Sequence, residues 1–137
     1  MSKPEGAPKG QKTSMIQAPI MTQVNYFVHY VPKDKWKQAV EFFETTIGLM
    51  LRMDTGHGWA EFNAGGITFA LHEGEHLIPK DTGLCFAVDD CDHAAAALRN
   101  RNVQGVTEPR KVSEEPEAGR CFEFKDPFGN TFSAYGK

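Results

Sequence analysis

The sequence is poor in cysteine, with three in 137 residues. Cys85, Cys91 and Cys121 are an odd number without CxxC spacing, which excludes the disulfide framework of a small secreted domain and the paired-thiol pattern of a zinc knuckle. Charge of one sign is also scarce. A formal net charge of −3 offers no electrostatic case for nucleic acid or an anionic membrane as partner. Long apolar runs are missing too: nothing approaches the roughly 20 residues of a membrane span, and the opening MSKPEGAPKGQKTSMIQAPIM lacks the apolar centre of a signal peptide. The expectation is a cytoplasmic protein with reduced thiols that binds neither membrane nor nucleic acid. A chain of this length fits one domain and can bury a core without staples. Residues 1–21, rich in Pro, Gly and Lys, are expected to form a flexible N-terminal arm, with the folded domain over residues 22–137.

What the sequence does have is regular punctuation by Gly and Pro. Residues 24–31 (VNYFVHYV) are dense in β-branched and aromatic side chains and stop at Pro32, which predicts a strand. Trp36, Ala39, Val40, Phe43 and Ile47 then recur with helical period, with Asp34 as a candidate cap and Gly48 as the stop. Residues 49–53, 59–63 and 67–72 read as three short strands between DTGHG and AGG turns. The second half repeats the order. Residues 84–88 form a strand, Asp89 and Asp90 can cap a helix over residues 91–102, Val106 marks a short strand or turn, and residues 120–125 and 131–135 are strands around the turn DPFGN. Two tandem βαβββ modules, over about residues 22–78 and 82–137, give an α+β fold in a single domain. Residues 107–119 form the longest unpatterned interior stretch, a flap over a pocket or a plain solvated loop.

One motif invites a metal reading. ALHEGEH contains HExxH, in which two histidines at i and i+4 hold zinc from one face of a helix. Here the preceding GGITFAL is strand-like, and Gly74 and Pro79 break any helix that His72 starts, so the zinc-hydrolase reading is set aside. His72 then ends a strand and His76 belongs to the following loop.

Three segments carry a family likeness: AVEFFETTIGLML, WAEFNAGGITFALHE, and VDDCDHAAAALRNRNV followed by GRCFEFKDPFGNTF. Together they resemble the vicinal oxygen chelate superfamily, which includes glyoxalase I, extradiol dioxygenases, fosfomycin-modifying enzymes and bleomycin-binding proteins. The resemblance implies two βαβββ modules whose sheets curl into a cup with the pocket inside, and it implies homodimers. In metal-dependent members the ligands come from the first and last strands of each module. Aligned on the motifs, those positions are Tyr26, Ala70, Leu84 and Ser133, none of them a good ligand, so the usual divalent metal is not expected. His72 lies two residues beyond Ala70 and shares its face of the strand, which keeps open the alternative of a metal-dependent glyoxalase-like lyase, isomerase or dioxygenase with a non-standard site. His29 is expected to face the helix.

With Tyr26, Val28 and Tyr30 directed inward from the first strand, and Ser133 and Tyr135 from the last, the expected cup is lined by phenols, hydroxyls and apolar surface. His72 completes the set, and Trp59 is a further candidate. Such a lining suits a hydrophobic or aromatic small molecule held by stacking and a few hydrogen bonds. Cys85 and Cys121 sit in strands that read as buried and inert.

Overall fold

The computed structural model describes residues 18–137, so the expected arm falls outside the described residues except for its last four positions. β1 (Tyr26–Pro32) leads through a single 3-10 turn into α1 (Trp36–Glu41), which continues as a wider π-helical turn over Phe42–Ile47. Strands β2 (Met50–Asp54), β3 (Trp59–Ala64) and β4 (Ile67–Gly74) complete the first module. The second runs β5 (Asp81–Ala87), α2 (Cys91–Asn100), β6 (Arg110–Lys111), β7 (Arg120–Lys125) and β8 (Thr131–Gly136).

Each module makes a four-stranded sheet of the same order, β1-β4-β3-β2 and β5-β8-β7-β6. In both, the first strand lies parallel to the last while the other pairs are antiparallel. Period-2 alternation divides each sheet into a core face and an open face. Phe27, His29 and Val31 of β1 point into the core with Phe69 and Leu71 of β4, as expected for His29. Phe86, Phe122, Phe124, Phe132 and Ala134 do the same in the second module.

The two core faces meet directly. Phe69 of β4 lies 6.0 Å from Phe86 and 6.5 Å from Phe132, ring centre to ring centre, and Phe43 from the α1 junction lies 4.9 Å from Phe69 and 5.6 Å from Phe132. Both modules therefore share one aromatic core, and the open face of each sheet is turned away from it. A buried polar contact crosses the same seam: Nε2 of His29 lies 2.8 Å from Oδ2 of Asp126 in the DPFGN turn. Asp126 also accepts from the backbone N–H groups of Phe128 and Asn130 and from the Asn130 side chain. Burial pushes this carboxyl up, but the bonds from His29 and Asn130 more than offset it and hold it below the ordinary carboxylate range.

Four local expectations are corrected. Asp34 does not cap α1; it sits in the 3-10 turn, and the residue ahead of the helix is Lys35, without a side-chain bond. Val106 is not a strand: the sixth strand is Arg110–Lys111, inside the stretch that looked unpatterned, and Arg110 anchors it with two bonds to Glu123 of β7. β5 starts at Asp81, three residues early, because a register shift between Asp81 and Cys85 lets Gly83 pass along the β8 edge. Cys85 is exposed on the open face of β5 and Cys121 is intermediate, so only Cys91 is buried. No helix among the described residues is long and apolar enough to cross a membrane.

Candidate functional site

The open face of the first sheet gathers most of the expected residues. The parallel register of β1 on β4 sets Tyr26 beside Thr68, Val28 beside Ala70 and Tyr30 beside His72, and β3 continues those rows with Asn63, Glu61 and Trp59. The middle row has small side chains over β1 and β4, and the outer rows carry the rings. Tyr26 meets Trp59 edge-on at 5.9 Å, Trp59 meets His72 at 5.6 Å, and His72 meets Tyr30 at 5.4 Å. The result is a continuous aromatic wall. Ala70 beneath it is fully covered, while Tyr26 and Tyr30 remain 48% and 46% exposed.

Three polar residues hold Trp59 in this wall. Trp59 donates its indole N–H to Oε2 of Glu61 at 2.8 Å, and Nη2 of Arg52 donates to Oε1 of Glu61 at 3.2 Å and to Oγ1 of Thr68 at 2.6 Å. The indole bond, foremost, and the Arg52 guanidinium hold the Glu61 carboxyl below its usual range. Glu61 is thus spent on Trp59 and Arg52 and makes no bond to His72. Nδ1 of His72 lies 2.8 Å from the Glu73 carbonyl, an acceptor, so that nitrogen carries the proton. Sequence reading passed over Arg52 and Thr68. Thr68 was legible, since it alternates with Phe69 in step with Ala70 and His72. Arg52 was masked by the register shift between Leu51 and Met53 in β2.

Ser133 and Tyr135 occupy the open face of the other sheet, where Cys85 pairs with Ser133 and Ala87 with Tyr135. The Ser133 hydroxyl donates to the Leu84 carbonyl at 3.5 Å, and the Tyr135 hydroxyl accepts the N–H of Gly119 at 3.0 Å. Among the described residues, no hydrogen bond or ring contact links this pair to Tyr26, Val28, Tyr30 and His72.

The residues at the metal positions of the resembled family do not fit a divalent ion. Ala70 and Leu84 have no donor atom, Ser133 is engaged with a carbonyl, and the Glu61 carboxylate is consumed by Trp59 and Arg52. Among the described residues no three His, Cys, Asp or Glu side chains stand together as a ligand set. The HExxH residues lie on and just beyond β4, so His72 and His76 do not share a helix face.

Residues 23–134 match the family model described as Glyoxalase/Bleomycin resistance protein/Dioxygenase superfamily. No curated protein matches the chain in sequence. Among solved structures, a glyoxalase family protein of Bacillus anthracis superposes with a TM-score of 0.71 at 17% identity, over 88% of this chain and 99% of its own. Lactoylglutathione lyase of Agrobacterium tumefaciens gives 0.66 at 14% identity, over 86% and 96%. TnmS3, an antibiotic binding protein of Streptomyces sp. CB03234, gives 0.64 at 26% identity, over 87% and 98%.

Proposed function

The chain belongs to the Glyoxalase/Bleomycin resistance protein/Dioxygenase superfamily, and we propose that within it this is a binding protein for a planar aromatic or amphipathic small molecule, held without a divalent metal. The observation that carries the proposal is the half-exposed wall of Tyr26, Trp59, His72 and Tyr30 on a face whose family metal positions hold Ala70 and Tyr26. Stacking on Trp59 and His72, whose ring nitrogens are already held by hydrogen bonds, costs little side-chain entropy. The antibiotic binding protein TnmS3 supports the same reading as a relative of this fold with a bound-drug role.

The second wall is proposed to come from a second copy of the chain. The two core faces are packed on each other, so one chain's open faces look outward and cannot close on the same ligand. A homodimer that sets the open face carrying Cys85, Ser133 and Tyr135 against the ring wall of its partner makes a closed cup and covers Met50 and Tyr30. The reducing cytoplasm is the proposed setting, since all three thiols are free.

The test is a panel of fused-ring aromatics screened by thermal shift and by quenching of tryptophan emission, with Trp59→Phe as control and metal content measured per chain. Stabilisation without metal, and loss of quenching in Trp59→Phe, is the expected result. About one metal ion per chain or per dimer, with ligand binding abolished by chelator, would instead establish the metal-dependent enzyme in which His72 is a ligand.

A further inference from the structure

The ring wall has opposite polar ends, and we infer from them the class of ligand it takes: an elongated aromatic with an anionic oxygen at one end and a hydroxyl or amine donor at the other. This rests on the aromatic-ligand reading above.

At the first end stands Arg52. Its ion pair with Glu61 is lopsided in exposure: the Glu61 side chain is 13% exposed and both its oxygens are engaged, whereas Arg52 is 49% exposed and uses only Nη2. Nε and Nη1 of Arg52 have no protein partner among the described residues. The pair therefore hides its acceptors and presents donors, which matches a carboxylate, phenolate or sulfonate. At the other end stands His72. Its Nδ1–H is committed to the Glu73 carbonyl, so in the neutral ring Nε2 is left as an acceptor, and no described residue donates to it. That nitrogen matches an O–H or N–H of the ligand.

The separation follows from the strand. Arg52 is tied to Thr68, four residues before His72 on β4, and four residues of extended chain span about 13 Å. Between them lie Val28 and Ala70, the small middle row, flanked by Tyr26 and Trp59. Two fused rings with substituents at opposite corners fill that span.

The probes are four naphthalenes measured by isothermal titration and tryptophan quenching: 6-hydroxy-2-naphthoate, 2-naphthoate, 2-naphthol and naphthalene itself. The hydroxy acid is expected to bind tightest, with the carboxylate improving affinity about tenfold over the corresponding naphthol, the scale of a hydrogen bond to a charged partner. Arg52→Gln abolishes the affinity ratio of 6-hydroxy-2-naphthoate over 2-naphthol, both measured in that variant so that any loosening of Glu61 and Trp59 cancels, and Arg52→Lys restores part of the ratio. His72→Phe keeps a ring in the wall and removes only the advantage of the hydroxyl. Equal binding of all four, or a carboxylate advantage that persists undiminished in Arg52→Gln, overturns the polarity while leaving the aromatic reading intact. Failure of every naphthalene to bind overturns the aromatic reading, and this inference with it.

Discussion

Asp126 shows how much a single side chain holds here. Its two oxygens receive His29, the backbone of Phe128 and Asn130, and the Asn130 amide, in a position with a side chain 0% exposed. Asp126→Ala leaves those donors buried without an acceptor and is expected to cost about 3–5 kcal/mol in chemical denaturation. His29→Leu keeps the apolar volume and removes one donor, so its expected cost is smaller, about 1–2 kcal/mol. The pH dependence has a definite sign. Because the folded pKa of Asp126 is depressed, its contribution is present above the unfolded value of about 4 and is lost as pH falls through the folded value, which urea midpoints across pH 2–6 will reveal. The cysteines separate by environment in the same way. Burial, foremost, pushes the Cys91 thiol up, and Cys85 is exposed, so iodoacetamide is expected to modify Cys85 first and Cys91 last, as peptide mass spectrometry will resolve.

Among elements, the end of the first helix departs most from what the letters suggest. The apolar residues Ala39, Val40, Phe43 and Ile47 declared a helix stopping at Gly48, and a helical segment does stop there, but its last six residues are wound as a π-turn. Ordinary helical spacing does not encode that extra residue per turn. The wider turn sets Phe42 and Phe43 edge-on at 5.0 Å and lets Phe43 reach rings of both sheets. Gly48 closes it with φ +95, in open space. Gly48→Ala therefore meets no clash and is expected to lose about 1 kcal/mol from backbone strain alone, seen as a small shift of the melting temperature. Strand positions were legible for a different reason: alternation told core face from open face for His29, Tyr26, Tyr30 and His72 alike. The short strand Arg110–Lys111 was not legible, since its residues are exposed and its pairing rests on Glu123, far along the chain.

At the scale of the molecule, family and fold could be read from the motifs, but not the way in which the modules face each other. Sequence reading placed Ser133 and Tyr135 in one cup with Tyr26 and His72; the shared core sets the two groups on separate sheets of a chain, because packing between modules leaves no local pattern. Sedimentation velocity is expected to return twice the mass of the chain, and Cys85 alkylation is expected to slow as protein concentration rises. A single-chain mass at all concentrations would remove the second copy from the site. The shared core has a further consequence, in time rather than space. Phe132 leaves the ribosome 63 residues after Phe69, about 3–13 s at ordinary rates of synthesis. For that interval Phe43 and Phe69 of the first module lack Phe132, and His29 first lacks Asp126 as well, so the nascent chain is expected to engage a chaperone until β8 emerges.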